Sequence, residues 1–208
     1  MTESVKICII ANSYLNALGR ALELAEEKWG LIVKLTIFSS KKRNELKIKS
    51  RFIESFYEIP EKPDGLLYRK IGKSLKDCDL THCFLFFTRL IPKSIYEKVK
   101  VINFHPSILP AHAGLKGLES AIQDKHLGFT AHYVDETIDM GQVLRQFQIE
   151  PFPESHTESI RHDSSILCSA TILSVVSEIR HIKSQPCQVF MNARECLEYV
   201  LKSRLRLN

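Results

Sequence analysis

Short apolar segments alternate with helical patterns along the first half of the chain. Four segments are almost continuously apolar, which is typical of strands buried on both faces of a sheet. These segments are residues 5–11, 31–38, 80–87 and 100–104. Residues 14–30 carry apolar positions at helical spacing and end at Gly30, and Pro92 opens a short helix over residues 92–99. Strands that alternate with helices predict a parallel sheet covered by helices on both faces.

The pattern changes after residue 105. Residues 114–125 predict a short helix, and strands follow at residues 129–135 and 143–152. The loop between these two strands holds an aspartate, Asp139, and a glycine at turn positions. This half of the chain therefore adds strands to the sheet through short connections.

The C-terminal part is predicted to be helical. Ser155 and Glu158 have the S-x-x-E spacing of a capping box, ahead of a long helix that runs to about residue 182. Residues 193–205 predict a last amphipathic helix. In contrast, the stretch from residue 39 to about residue 75 shows no clear pattern.

Composition narrows the class of protein. With 208 residues, of which 44% are hydrophobic, the chain can bury one sizeable core, so we expect a single α/β domain over residues 1–208. The expected architecture is a Rossmann-like three-layer fold with a mostly parallel central sheet. Neither a membrane span nor a secretory signal is predicted. The six cysteines form no C-x-x-C pair and are expected to be reduced and mostly buried, as in a cytoplasmic protein.

The net charge of +5 comes largely from residues 41–51 and from the C-terminal tail. No aromatic interleaving or binding motif accompanies these basic residues, so a nucleic-acid partner is not predicted. A solvated surface loop is the simplest interpretation of residues 41–51. The alternative is a patch that attracts a small anion or a phosphate.

An asparagine and a histidine end the fourth predicted strand. Asn103 and His105 lie two positions apart, so their side chains project from the same side of the strand. Ligands of open α/β sheets bind beyond the carboxyl ends of the strands, and Pro106 and Pro110 stiffen the following loop into a suitable pocket wall. A lone histidine at a strand end is more often structural. The asparagine, the loop and the position of Asp139 favour a chemical site here.

An amide, an imidazole and a carboxylate together suit an addition to a carbonyl group. Asn103 can donate to a developing oxyanion, an interaction worth ~2.7–4 kcal/mol of the barrier. His105 can exchange a proton, and Asp139 would favour the imidazolium and orient the ring. None of the three is an obvious nucleophile, so attack by an external amine or water is expected. No metal is predicted, because H-E-x-x-H and other ligand spacings are absent.

Two long segments resemble the folate-dependent formyltransferase family. Residues 103–122 read NFHPSILPAHAGLKGLESAI, and residues 128–144 read GFTAHYVDETIDMGQVL. They are similar to the family's Asn-x-His-Pro-Ser-Leu-Leu-Pro and His-x-Val-Asp-Glu-x-x-Asp-x-Gly segments, in the same order. The resemblance is sharp from about residue 80 to residue 150 and loose elsewhere. The most similar members formylate glycinamide ribonucleotide in purine biosynthesis.

The resemblance implies a formyltransferase-type fold and 10-formyltetrahydrofolate as the co-substrate that gives its formyl group to a primary amine. Asn103 and a protonated His105 would hold the tetrahedral oxyanion. Asp139 would pair with His105 and, through water, help to move protons off the amine. Other candidates implied to meet the folate are Thr88, Arg89, Leu90, Ile91, Val134 and Ile138.

Several of these assignments have plainer alternatives. Arg89 could be a surface charge at a strand end. His132 has a histidine counterpart in the family and could either support the site or fill the core. His112 and His126 are expected to be exposed loop residues.

The acceptor half departs from the family pattern. Members that use a ribonucleotide carry Gly-x-Gly-Ser-Asn after the first strand to hold the acceptor's phosphate. Here the candidates are Asn12, Ser13 and Tyr14; both glycines are missing, and Tyr14 replaces the asparagine. A Glu-His pair on the long helix is replaced by SSILCSATIL at residues 164–173. Without glycine the backbone has less freedom to wrap a phosphate.

Four hypotheses stay open at this point. The chain could formylate a non-standard acceptor, such as an amino sugar nucleotide or another small amine. It could use glycinamide ribonucleotide with an altered phosphate loop, where Lys41, Lys42 and Arg43 neutralise the phosphate. It could be a formyltetrahydrofolate hydrolase, although such relatives usually carry a regulatory domain ahead of the first strand, where this sequence begins. It could bind folate without turnover. A monomer or homodimer without nucleic-acid or membrane partners is expected.

Overall fold

The computed structural model describes residues 4–77, 80, 82–124, 126–148, 157–183, 196 and 198–202. Its strands are β1 (Ser4–Ala11), β2 (Ile32–Ser39), β3 (Ile53–Glu58), β4 (His82–Phe86), β5 (Lys100–His105), β6 (Gly128–Tyr133) and β7 (Val143–Gln148). Its helices are α1 (Leu15–Trp29), α2 (Gly65–Asp77), α3 (Lys93–Tyr96), α4 (Gly117–Gln123) and α5 (Thr157–Lys183). Two 3-10 turns lie at Arg43–Glu45 and Ser50–Phe52.

The strands of the described chain form one seven-stranded sheet in the order β3-β2-β1-β4-β5-β6-β7. β1, β2, β3, β4 and β5 pair in parallel, whereas β6 pairs antiparallel with both β5 and β7. The predicted mostly parallel sheet is therefore confirmed. His105 is the last residue of β5, and its register partner on β6 is Thr130.

Helices cover both faces of the sheet. Alternate residues of β1 point to opposite sides: Ile7 and Ile9 join a core under α1 and α5, while Cys8 and Ile10 join a smaller core under α2 and α3. All four side chains are fully buried, which explains why β1 is apolar throughout rather than alternating. The predicted three-layer arrangement follows directly from this double burial.

The main error of the sequence-based prediction concerns residues 39–75, which contain β3 and most of α2. β3 is the edge strand of the sheet and is mostly half-buried or exposed, so it lacks an apolar run. α2 does place Tyr68, Ile71 and Leu75 on its buried face, at helical spacing. That spacing was the signal that the prediction missed.

The predicted C-terminal end of α1 can be compared with the structure, whereas the predicted N-terminal cap of α5 cannot. Gly30 follows α1 with a left-handed φ of 62° and donates its backbone N–H to the carbonyl of Glu26, so the predicted C-terminus is confirmed. The capping box ahead of α5 depends on Ser155, which lies outside the described residues. Of the last predicted helix, residues 196 and 198–202 are helical. The strand predicted to residue 152 is described as far as Gln148.

Two further expectations can be compared with the described residues. Cys8, Cys83, Cys168 and Cys196 are free and buried, while the other two cysteines lie outside the described part of the chain. No helix among the described residues is long and apolar enough to cross a membrane. That residues 1–208 form a single domain stays a prediction.

Candidate active site

A cavity of about 350 Å³ opens beyond the carboxyl ends of β4 and β5. It is bounded by the segment after β4, the loop after β5 and the connection between β6 and β7. Of the twelve residues named as site candidates from the sequence, eleven line it: Ser13, Tyr14, Thr88, Arg89, Leu90, Ile91, Asn103, His105, Val134, Ile138 and Asp139. Asn12 lines a neighbouring cavity instead.

Asn103 is held by two neighbours through its amide nitrogen. Its Nδ2 atom lies 3.1 Å from Nε2 of His132 and donates to Oδ1 of Asp139 at 3.3 Å. The other ring nitrogen of His132, Nδ1, lies 2.9 Å from the carbonyl oxygen of Tyr133, which can only accept a proton. Nδ1 of His132 is therefore the donor, and Nε2 accepts from Asn103. His132 is buried, and its Nε2 atom contacts both Asn103 and Asp139. It therefore lies next to the candidate catalytic residues, where it can hold them in place, rather than in the core away from the site.

His105 has a defined orientation because its two ring nitrogens face different groups. Nε2 lies 2.9 Å from the carbonyl oxygen of His112 and must donate to it. Nδ1 lies 3.6 Å from Oδ2 of Asp139. Since Nε2 already carries a proton, Nδ1 is the nitrogen at which His105 can gain one.

Burial decides the resting charge of His105. It lowers the pKa of the imidazole below its usual 6.5, and the opposing effects of the His112 carbonyl and of Asp139 are smaller. A neutral ring is therefore favoured at neutral pH. The carboxylate does not offset the loss of solvent around the ring. That a protonated His105 holds the tetrahedral oxyanion stays a prediction.

Asp139 is ionised at any physiological pH. Burial of its carboxyl group raises the pKa, but the neighbouring rings of His132 and His105, in their protonated forms, and the backbone N–H of Gly114 outweigh that effect and lower it to about 2. The Gly114 N–H donates to Oδ2 at 2.8 Å. The backbone of Asp139 has a left-handed φ of 54°, a conformation that aspartate tolerates better than most residues. The carboxylate thus ties the β6–β7 connection to the loop after β5.

The mouth of the cavity is apolar. Leu90, Leu115 and Ile138 line it and keep 63%, 75% and 53% of their surface exposed, so a large apolar area faces solvent in one place. Apolar walls with a few polar groups at the end are typical of sites for small aromatic molecules. Arg89 is exposed at the rim, a position that fits a ligand contact and a surface charge equally well.

A second cavity, of about 570 Å³, adjoins the first at the start of α1. Ser13 and Tyr14 line both cavities, so they form the boundary between them. The second cavity also carries the cationic side chains of Lys41 and Arg161 and the carboxylate of Glu45. Arg161 and Glu45 were not among the residues predicted for the site, because no local sequence pattern marks either of them.

The three residues after β1 are held by contacts within the chain. Asn12 donates from Nδ2 to Oγ1 of Thr88 at 2.9 Å, and Ser13 donates from Oγ to the carbonyl of Phe86 at 3.1 Å. Tyr14 has a left-handed φ of 54°, and its hydroxyl lies 2.9 Å from Oγ of Ser164 on α5. Burial raises the pKa of Tyr14 to about 12, despite the opposing hydrogen bond from Ser164. The tyrosine that replaces the family's asparagine is thus a neutral bridge between α1 and α5.

The C-terminal end of the basic segment at residues 41–51 forms ion pairs with α1. Arg51 makes a bidentate ion pair with Glu26, through Nε to Oε1 and through Nη2 to Oε2, and Lys49 lies 3.4 Å from Glu23. These contacts neutralise the end of the segment, whereas Lys41 at its start lines the second cavity. Lys42 and Arg43 do not line either cavity.

His112 differs from its predicted environment. It is buried rather than exposed, because its backbone carbonyl accepts hydrogen bonds from both His105 and Ser107, which draws the residue inward. Its Nδ1 lies 3.6 Å from the exposed carboxylate of Asp124. His126 is exposed, as expected. Among the described residues, no group of three His, Cys, Asp or Glu side chains is placed to hold a metal ion.

The fold is similar to those of solved formyl-group enzymes. The phosphoribosylglycinamide formyltransferase of Anaplasma phagocytophilum aligns with a TM-score of 0.72 at 24% identity, covering 88% of this chain and 90% of that one. A formyltetrahydrofolate deformylase from Pseudomonas syringae pv. tomato aligns with a TM-score of 0.68 at 17% identity, covering 82% of this chain and 59% of that one. At these identities the likeness shows the fold, and it confirms the predicted Rossmann-like class.

Sequence relationships establish the family. The phosphoribosylglycinamide formyltransferase of Haemophilus influenzae is 40% identical over 63 residues, which cover 29% of this chain and only 30% of that relative. The sequence profile of the formyl transferase family matches residues 9–175, which is most of the chain. The predicted resemblance is thereby confirmed: this chain is a member of the formyl transferase family.

Proposed function

We propose that this protein transfers a formyl group from 10-formyltetrahydrofolate to a primary amine. The observation that carries the proposal is the convergence of Asn103, His105 and Asp139 at the inner end of one apolar-mouthed cavity. The amide can donate a hydrogen bond to the oxyanion, and the neutral imidazole can accept a proton from the amine. The ionised carboxylate can then stabilise the positive charge on the imidazole. The roles of these three residues are part of the proposal.

The proton transfer is assigned to His105. The acceptor nitrogen forms a bond to the formyl carbon, and Nδ1 of the neutral imidazole removes a proton from that nitrogen. The imidazolium so formed faces the carboxylate of Asp139, which stabilises its charge. The bond between the formyl carbon and the folate nitrogen N10 then breaks, and the proton from His105 goes to N10. No net proton is gained or lost by the enzyme.

The oxyanion is assigned to Asn103. Both protons of its amide nitrogen are engaged by His132 and by Asp139, and the contact with Asp139 is the longer of the two. An oxyanion that carries its charge on one oxygen is a better acceptor than a delocalised carboxylate at 3.3 Å. We therefore assign the Asp139-facing proton to the tetrahedral intermediate, while His132 keeps the amide in place.

The acceptor is assigned to the second cavity. Lys41 and Arg161 give its wall two cations against the single carboxylate of Glu45, which favours an anionic group on the amine. Glycinamide ribonucleotide and an amino sugar nucleotide both carry phosphate and both satisfy this condition. Tyr14, at the boundary of the two cavities, is the residue that an incoming amine must pass.

One assay tests the activity and separates the acceptors. The protein is incubated with 10-formyltetrahydrofolate, and tetrahydrofolate formation is followed with glycinamide ribonucleotide, with amino sugar nucleotides, with unphosphorylated amines and in buffer alone. We expect release that depends on a phosphorylated amine and is lost in His105→Ala. Release in buffer alone would identify a hydrolase, and binding of folate without release in any mixture would identify a binding module. Full activity of His105→Ala would refute the assignment of the proton transfer.

A further inference from the structure

Gly117 occupies a position where no side chain fits. It begins α4 and lies against His105, and an added Cβ would stand 2.6 Å from the carbonyl oxygen of His112 and 2.8 Å from Oγ of Ser107. It would come closer still to Nε2 of His105. Real Cβ atoms essentially never approach other atoms this closely, so one of these partners would have to move.

The partners of Gly117 form a compact unit. The carbonyl oxygen of His112 accepts from Nε2 of His105 at 2.9 Å and from Oγ of Ser107 at 2.9 Å. His105, Ser107 and His112 are all buried, so water is not available to replace a displaced bond. Little room exists for the imidazole to rotate or slide while the carbonyl stays in place.

The second histidine of the site shows the same arrangement. Nδ1 of His132 lies 2.9 Å from the carbonyl oxygen of Tyr133, and a Cβ at Gly141 would overlap that oxygen. In both cases a backbone carbonyl fixes the tautomer of a site histidine, and a glycine leaves room for that carbonyl. In the site, each of the two carbonyls that meets a histidine ring nitrogen is therefore approached closely by a glycine.

We propose that Gly117 is a positioning residue for proton transfer, because the absence of its side chain lets the His112 carbonyl hold the Nε2–H tautomer of His105 with Nδ1 facing Asp139. This inference rests on the proposed function for its kinetic consequence. Its structural content, the tautomer and orientation of His105, stands independently. The charged and titratable groups that face His105 are Asp139, His132 and His112.

The kinetic test is Gly117→Ala. A displaced imidazole lowers kcat by about 10- to 100-fold, as expected for an ångström-scale misplacement of a catalytic group. The KM for folate is expected to stay within about twofold, since the folate-binding walls are untouched. The acid limb of the kcat/KM profile should also move, because His105 loses its fixed hydrogen bond; a merely structural role would lower the active fraction without moving that limb.

Gly65→Ala is the matched control. Gly65 begins α2 as Gly117 begins α4, and an added Cβ there meets nothing within 4 Å. It lies outside both cavities. We expect wild-type kinetics from this variant. Wild-type kcat and an unchanged pH profile in Gly117→Ala would overturn the proposal.

A spectroscopic test needs no turnover. Nitrogen-15 spectra of the histidine rings in the wild-type protein, with His105 identified by its loss in His105→Gln, report which ring nitrogen is protonated. We expect a pyrrole-type Nε2 and a pyridine-type Nδ1 above the pKa of the ring. The opposite tautomer would refute the positioning role even if formyl transfer is demonstrated. Conversely, the expected tautomer in a protein that transfers no formyl group would refute only the proposed function.

Discussion

Nδ1 of His105 and Oδ2 of Asp139 face each other across 3.6 Å, too far for a hydrogen bond and close enough for strong electrostatic coupling. An unprotonated ring nitrogen opposite a carboxylate is a site prepared to receive a proton. Because the side chain of Asp139 is only 11% exposed, water screens weakly the attraction that arises once His105 gains a proton. The resting geometry is consistent with the proposed role of His105 as the base.

The first prediction concerns the charge of Asp139. Asp139→Asn keeps an oxygen for the Gly114 N–H but removes the charge that stabilises the imidazolium, so we expect kcat to fall by about 10²–10⁴-fold. Binding of folate analogues, measured by calorimetry, should be retained. Glu61→Gln, which removes one negative charge from an exposed position outside both cavities, should leave kcat unchanged. An Asp139→Asn enzyme with normal kcat would remove the carboxylate from the mechanism.

The second prediction is the pH dependence of turnover. The base is neutral His105, and burial lowers its pKa below 6.5. Activity should therefore persist as the pH falls to 6.5 and decline only below it, when the ring becomes protonated before substrate binds. The kcat/KM profile of the wild-type enzyme gives the measurement. An acid limb centred above pH 6.5 would contradict the burial argument.

The third prediction concerns stability in acid. Asp139 has a folded-state pKa of about 2 against an ordinary value of 3.8, so its ionised form stabilises the fold fully above 3.8 and this stabilisation is lost as the pH falls through 2. After allowance for its partial solvation, the contribution is roughly 1–2 kcal/mol. Urea denaturation of the wild type and Asp139→Asn should show a difference in unfolding free energy that is constant near neutral pH and shrinks between about pH 4 and 2. A difference that does not shrink with acid would argue against an ionised Asp139 as its source.

The fourth prediction concerns Tyr14. Tyr14→Phe removes the hydroxyl that meets Ser164 and should cost about 1 kcal/mol of stability with little change in kinetics. Tyr14→Asn removes the ring from the boundary of the two cavities and introduces a residue better suited to a left-handed φ. We expect it to change the KM for the amine and the preference among acceptors, with the KM for folate preserved. Identical acceptor profiles in all three proteins would show that Tyr14 does not control acceptor entry.

The fifth prediction concerns the cations of the second cavity. Lys41→Ala and Arg161→Ala should each raise the KM for a phosphorylated acceptor by about 10- to 100-fold, because each removes one charge-assisted contact worth about 1.5–3 kcal/mol. Both effects should weaken at high salt. Lys42→Ala is the control, because Lys42 is adjacent in sequence but lines neither cavity. Equal effects of Lys41→Ala and Lys42→Ala would point to general charge rather than to a binding site.

The residues of the first cavity could be predicted from the sequence because the candidate catalytic residues lie in two short contiguous segments. Asn103 and His105 share one strand, and Asp139 lies in a turn marked by its own residue pattern. The protonation state and the tautomer of His105 depend instead on tertiary contacts, which no single segment shows. The burial that keeps His105 neutral and the carbonyl that holds its tautomer come from residues packed around it.

The acceptor half was less predictable for a physical reason. Lys41 precedes a 3-10 turn, and Arg161 lies in the first turns of α5, far away in the chain. Their proximity is a consequence of how α5 packs against α1, and side-chain chemistry alone does not reveal it. β3 and α2 were missed in a related way, since exposed and half-buried residues interrupt any apolar run in the edge strand and in the lysine-rich helix.

The division of the site at Ser13 and Tyr14 has a consequence for redesign and for divergence within the family. The donor cavity and the acceptor cavity share only these two lining residues, so the proposed transfer chemistry and the proposed choice of recipient are encoded in largely separate sets of positions. Substitutions around Lys41 and on α5 can then accumulate without disturbing Asn103, His105 or Asp139. A library of variants with substitutions only among the residues that line the second cavity is accordingly the most direct way to search for new amine acceptors.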